Sequence, residues 1–265
     1  MKAIIEGFGV RSKQAFRFGR LGANLLAGSA FISSCYRFPS ISKIDQYHLG
    51  DYRLFAAWVK DLTYSMNTEL LVTGKVMSES GFFVSNHISW LDTIILSHIQ
   101  PISFIARHDL EHWPLLGTFT KRMQSVYIDR TNKFQAYRSI PALEARLNEG
   151  RSVHVFPEAT TSEGSHVLTF YPMFYEAAVR TGKKVQAVAI QYCDEHGQRI
   201  KEPAFINDDS FLDTLERILR VKKVYAHYHF CEPLDAKKNN RKQLCALTKR
   251  QIEDVLSNSP LVNQR

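Results

Sequence analysis

The stretch FFVSNHISWLDTIILSHI, residues 82–99, changes texture at its middle. FFVSN is a short apolar run closed by polar residues, the pattern of a buried strand, and WLDTIILSHI reads as a helix. His87 therefore stands at a strand-to-helix turn. This is where α/β proteins expose residues to ligands, beyond the carboxyl ends of their strands. Asp92 falls in the first turn of the helix. A separation of five residues is not one helical face, but a His87 on the loop lets the chain fold back so that the carboxylate meets one ring nitrogen. Such a pairing fixes the imidazole tautomer and leaves the other nitrogen as a general base near neutral pH. The plainer alternative is that Asp92 caps the helix and His87 is an ordinary loop residue.

Outward from this stretch the same alternation continues. Short apolar runs occur at LLVTG (70–74), ISFIA (102–106), VYID (126–129), VHVF (153–156), VQAVAI (185–190) and VYAHYHF (224–230). Helical patterns fall at 54–68, 90–99, 113–123, 133–149, 170–181 and 239–256. Strands alternating with helices of ten or more residues predict an α/β fold, a mainly parallel central sheet flanked by helices. Trp90, Trp113 and Phe119 are expected in the core, with lining of an apolar tunnel as the alternative.

The N-terminal region has another character. LGANLLAGSAFISSCY, residues 21–36, is uncharged and lies between Arg11, Lys13, Arg17 and Arg20 on one side and Arg37 on the other. As a helix it would measure roughly 24 Å, short of the ~20 residues that cross a bilayer core. A helix lying in the membrane interface, its cations near the head groups, fits better. Packing on the protein's own core is the alternative. The expected organisation is an N-terminal helical membrane-docking element, residues 1–68, followed by an α/β domain, residues 69–265.

With 45% hydrophobic and 23% charged residues among 265, the chain is that of a folded globular protein. Its net charge of +8 favours anionic partners such as lipid head groups. Residues 236–250 add six Lys/Arg and no acid, a run that is usually a solvated face. The cysteines, Cys35, Cys193, Cys231 and Cys245, form no CxxC pair, so reduced thiols in a cytosolic compartment are expected, with neither disulfide nor zinc site. No secretory signal, Walker loop, G-x-S-x-G or H-E-x-x-H is present, and no nucleic-acid motif accompanies the basic charge. His108 and His112 stand four apart with no evident third ligand and read as a polar helix face, His227 and His229 share a strand face that reads as a surface strand rather than a metal edge, and no metal is expected.

Four motifs carry more. NHISWLD (86–92), QSVYIDR (124–130), FPEATTS (156–162) and VQAVAI (185–190) follow one another at strand edges. In this order they resemble the glycerolipid acyltransferase family, which includes the 1-acyl-sn-glycerol-3-phosphate acyltransferases, over about residues 70–192. The resemblance implies transfer of a fatty acyl group from a thioester, acyl-CoA or acyl carrier protein as co-substrate, to the free hydroxyl of a lysolipid, in phospholipid biosynthesis. His87 would take the proton of the hydroxyl and Asp92 would orient His87. Arg130 and Glu158, with Thr160 and Thr161 beside them, would bind the acceptor. No cofactor and no covalent enzyme nucleophile is needed. The implied partners are the acyl donor, the lysolipid and a membrane surface, at its cytoplasmic face, with peripheral, monotopic or single-span attachment. An oxyanion would need hydrogen-bond donors, each worth roughly 3–4 kcal/mol.

The chain departs from the family pattern at four positions: Ala159 and Gln124 stand for usual glycines, Ala187 for a proline and Thr161 for an arginine. The catalytic pair is intact, so the departures bear on the acceptor. The favoured acceptor is 1-acyl-glycerol-3-phosphate. Lyso-ornithine lipid is the alternative, with an inactive lipid-binding protein on the same fold and an acyl hydrolase as rivals.

Overall fold

A computed structural model describes residues 17–28, 30, 52–112, 117, 120–121, 123–128 and 133–258. Its framework is a seven-stranded sheet. The strands are β1 (Thr68–Gly74), β2 (Phe82–Ser85), β3 (Ile102–Arg107), β4 (Val126–Ile128), β5 (Ser152–Val155), β6 (Val185–Cys193) and β7 (Val224–Phe230), in the order β1-β7-β6-β2-β5-β3-β4. All neighbours run parallel except β6 and β7, which are antiparallel, so the sheet is mixed.

The helices are α1 (17–28), α2 (Tyr52–Ser65), α3 (Trp90–Ile99), α4 (Lys133–Arg138), α5 (Ile140–Asn148), α6 (Tyr175–Thr181), α7 (Phe211–Arg220) and α8 (Arg241–Ser257). They cover both faces. Phe83 points into a cluster with Phe55 and Val59 of α2, Leu91 and Ile95 of α3, and Ile218 of α7. Phe82 and Val84 point the other way, toward Leu143 of α5, Ala178 of α6 and Leu244 and Ile252 of α8. This is the two-residue alternation of a strand. Because both faces are covered, every residue of β2 and of β6 is buried, and each reads as a largely apolar run.

The helical run expected at 133–149 breaks into α4 and α5. Pro141 lies in the first turn of α5 and has no N–H to continue the hydrogen-bond ladder of α4, so a new helix starts there. The helix expected at 170–181 begins only at Tyr175. Most of the helix expected at 113–123 lies outside the described residues, as do Trp113 and Phe119. One helix was missed: α7 opens on a capping box in which Ser210 Oγ accepts from the Asp213 amide at 3.2 Å and Asp213 accepts from the Ser210 amide at 2.9 Å. Its buried face is Thr214, Leu215, Ile218 and Leu219.

Of the uncharged run 21–36, residues 29 and 31–36 lie outside the described residues. Within α1, Leu21 and Asn24 are buried against the protein, Asn24 donates to Asp61 of α2, and Arg17 donates to the Leu219 carbonyl at 2.8 Å. Phe18 and Leu26 face outward. Among the described residues no helix is long and apolar enough to cross a membrane.

Candidate active site

The site grows from the carboxyl end of β2. Asn86 continues the strand ladder with its side chain: it donates to the Ile190 carbonyl at 2.9 Å and accepts from the Ile190 amide at 2.8 Å. The turn that follows carries His87. Ser89 then caps α3, accepting from the Leu91 amide at 3.3 Å. Asp92 closes the capping box, its Oδ2 accepting from the amides of Ile88 at 2.8 Å and Ser89 at 2.9 Å. The same Oδ2 lies 2.9 Å from His87 Nδ1. Cap and histidine partner are thus one carboxylate, and the two readings of Asp92 hold together. An ionised carboxylate only accepts, so Nδ1 carries the proton and Nε2 is left as the acceptor. Nε2 makes no hydrogen bond among the described residues.

The third motif is laced to the first. The His87 carbonyl accepts from the Ser162 amide at 2.8 Å, and the His87 ring stacks on Phe156 with centroids 3.7 Å apart and planes at 15°. Glu158 lies beside them, 3% exposed, under the influence of the His87 amide and the Asp92 charge. The structure therefore brings His87, Asp92 and Glu158 together. Thr161 donates to the Phe205 carbonyl, and the Phe205 amide donates to the Ile88 carbonyl at 2.9 Å, so the loop after β6 ties the two motifs together. Thr160 is exposed, and Arg130 lies outside the described residues.

A family model described as Acyltransferase matches residues 67–191. The lyso-ornithine lipid O-acyltransferase of Pseudomonas aeruginosa is 30% identical over 192 residues, 72% of this chain and 74% of that protein. The chain belongs to the acyltransferase family. It is an O-acyltransferase by that membership. The 1-acyl-sn-glycerol-3-phosphate acyltransferase of Neisseria meningitidis is 36% identical over 152 residues, 57% of this chain and 59% of that protein. The crystal structure of the 1-acyl-sn-glycerophosphate acyltransferase PlsC from Thermotoga maritima shares the fold, with a TM-score of 0.66 at 18% identity over 94% of this chain and 97% of that one.

In this acyltransferase Glu158 is a buried carboxyl whose two oxygens make no hydrogen bond of normal geometry among the described residues. Burial pushes it up to about 8; the amides of His87 and Leu168 pull the other way, and the Asp92 charge adds to the rise. The folded protein thus holds a proton between pH ~4.5 and ~8 that the unfolded chain releases, and stability falls as pH rises through that window. Glu158→Gln carries no such slope. From pH 5 to pH 8 the wild type is expected to lose on the order of 3–5 kcal/mol relative to the variant in denaturant titrations, and a constant difference would refute the buried protonated carboxyl.

His154 on β5 sits behind Phe156, their rings 4.7 Å apart. Burial first, and the neighbouring His87 second, hold it down at about 3, so it is a neutral imidazole, with Nε2 2.9 Å from Ser85 Oγ. The described cysteines are buried, with the thiols of Cys231 and Cys245 pushed up to about 11 by burial. Contrary to the expectation of no third ligand, Glu111 joins His108 and His112, with ligand atoms within 4.8 Å of one another. Lys121 Nζ lies 3.5 Å from Glu111 Oε1, and His108 Nδ1 lies 3.8 Å from its Oε2.

Two departures from the family pattern have a backbone consequence. Ala159 has φ +59° and Gln124 φ +49°, the left-handed region that suits glycine. The backbone keeps the conformation of the usual glycines while the side chains strain it. Ala159→Gly and Gln124→Gly are each expected to stabilise by roughly 0.5–1 kcal/mol, the relieved strain exceeding the greater unfolded-state freedom of glycine. Paired melting curves check this; a lower Tm for either variant contradicts it.

Proposed function

We propose that this acyltransferase moves a fatty acyl group from an acyl thioester, acyl-CoA or acyl carrier protein, to the free hydroxyl of a lysolipid, with His87 and Asp92 as the catalytic pair. The observation that carries it is the 2.9 Å contact of His87 Nδ1 with a fully buried Asp92, which leaves Nε2 as the one base at the turn. Nε2 takes the hydroxyl proton as the acceptor oxygen bonds to the thioester carbonyl carbon. The tetrahedral oxyanion collapses, the carbon–sulfur bond breaks, and the departing thiolate receives the proton from the imidazolium. Asp92 holds the imidazolium throughout. The thioester is already activated, so no enzyme nucleophile and no cofactor is required.

The acceptor is proposed to be 1-acyl-glycerol-3-phosphate, held by Glu158, Thr160 and Arg130 with Thr161 nearby. A protonated Glu158 supports this, because it can donate to a phosphate oxygen that a carboxylate would repel. Lyso-ornithine lipid is the second reading. It is favoured by Thr161, whose hydroxyl is engaged by the Phe205 carbonyl where the family pattern has a cation, and by the named activity of the Pseudomonas relative. Docking is proposed at the cytoplasmic face of a membrane, through the N-terminal segment 1–68, with 69–265 as the acyltransferase domain. The outward Phe18 and Leu26 support that surface.

The test is turnover in mixed micelles with a long-chain acyl-CoA, then acyl carrier protein, against both lysolipids, following thiol release and lipid product. Diacyl product names the acceptor. Free fatty acid alone would mean a hydrolase, and no turnover with any pair a lipid-binding protein.

A further inference from the structure

Behind the His87–Asp92 pair lies a second pair that no motif contains. Tyr192 on β6 and Tyr228 on β7 are each fully buried, and the Tyr192 hydroxyl donates to Asp92 Oδ1 at 2.6 Å. The Tyr228 hydroxyl is 3.3 Å from that of Tyr192. We propose that Tyr192 is the positioning residue of the catalytic aspartate, with Tyr228 as its support.

The argument rests on the proposed base role of His87 and on what a carboxylate needs to hold one orientation. Rotation about the Cβ–Cγ bond of aspartate is broad. Oδ2 is fixed by two amides and the imidazole, all from the chain segment 87–89 that it caps. That segment is the turn Asp92 itself caps, so these bonds fix the carboxylate only relative to its own stretch of chain. Tyr192 lies 100 residues away on a central strand, and anchors Oδ1 to the sheet. It thereby sets the carboxylate plane, and with it the direction of His87 Nε2.

The sheet topology is what makes this possible. In the antiparallel β6–β7 pair, Tyr192 faces Ala226 and Ile190 faces Tyr228, so the two tyrosines are diagonal neighbours on one face. A parallel β7 would not offer this register. Since Tyr192 gives its proton to a group that only accepts, Tyr228 must donate to Tyr192. Burial first, and the Asp92 charge second, push both phenols well above their ordinary range, so they remain donors at any working pH. The short bond to a charged acceptor belongs to the strong class.

Tyr192→Phe removes one oxygen and keeps the ring. Its expected effect is a fall in kcat of about tenfold, with KM for donor and acceptor within about twofold, as for residues that orient a functional group through a hydrogen bond. The discriminating measurement is a double-mutant cycle with Asp92→Asn. A residue that acts through Asp92 loses its effect when Asp92 is already altered, whereas a structural role would add in full. Tyr228→Phe should show the same pattern at about a third of the size or less. Full kcat in Tyr192→Phe, a loss confined to KM, or additivity in the cycle each overturns the inference while His87→Ala remains inactive. Should the wild type turn over no lysolipid, the reading of the function fails separately. The inference is then read from the 15N resonances of the His87 ring, which Tyr192→Phe is expected to shift and which, if unmoved, overturn it. The same resonances serve if Tyr192→Phe melts below the assay temperature, since Tyr228→Phe is then the variant compared.

Discussion

His87→Ala is expected to lower kcat by about a thousand- to ten-thousand-fold while leaving the fold in place. General-base catalysis by a positioned side chain accounts for roughly 10²–10⁴. The loss should fall at the upper end, because the described residues offer no other base at this turn: Glu158 is protonated up to about pH 8 and His154 is sealed off as a neutral ring. Stability should change little. The ring is 14% exposed, and its backbone carbonyl still accepts from the Ser162 amide. What is lost is the stack on Phe156 and one hydrogen bond to Asp92, which keeps the two cap amides and the Tyr192 hydroxyl, together about 1–2 kcal/mol. The check is kcat and a melting curve on the same preparation. Activity above a tenth of wild type would remove His87 from the role of base; a collapsed melt would mean the site holds the fold rather than the chemistry.

Asp92 is expected to give a different signature, because it serves two purposes at once. Asp92→Ala leaves the amides of Ile88 and Ser89, the Tyr192 hydroxyl and His87 Nδ1 facing an apolar methyl group in a site with no exposure. Stranding buried donors costs about 1–3 kcal/mol each before relaxation, so a net destabilisation of about 3–5 kcal/mol is expected, together with a kcat loss comparable to that of His87→Ala. Asp92→Asn separates the two purposes. Its carbonyl oxygen can still take the two cap amides, so most of the stability should return. That oxygen also faces His87 Nδ1 but carries no charge to hold the imidazolium, and the amide nitrogen cannot accept from Tyr192, so kcat should stay down by about a hundred- to ten-thousand-fold. Denaturant unfolding alongside turnover decides this. An Asn variant that recovers activity along with stability would make Asp92 a helix cap and nothing more.

Most of the architecture was legible because it is local. Apolar runs of four to seven residues mark β1 to β7, and each is found within a few residues of its expected place. The His87 turn follows from the same rule, since a strand running directly into a helix leaves a short turn between them, in which only His87 is not buried. The misses are also local in origin. Pro141 divides a run whose apolar spacing is continuous, and α7 is announced by Ser210 and Asp213, a capping box three residues apart, more clearly than by its hydrophobic content. The antiparallel direction of β7 had no sequence signal, because alternation of side chains is the same for either strand direction.

The site divides along the same line. The sequence by itself determined the pairing of the proposed base and its partner, His87 and Asp92, because both lie within one turn and their meeting needs only six residues of chain. It also placed Glu158 near a strand end. Only the tertiary structure decided what state and orientation these groups have. Glu158 holds its proton because side chains distant in sequence remove water from it. Ala159 and Gln124 sit at positive φ because the surrounding fold imposes the glycine conformation on them. Asp92 is aimed by Tyr192, whose hydroxyl reaches it from 100 residues away. Burial, strain and long-range hydrogen bonds depend on which segments meet, and that is settled by the packing of the whole sheet.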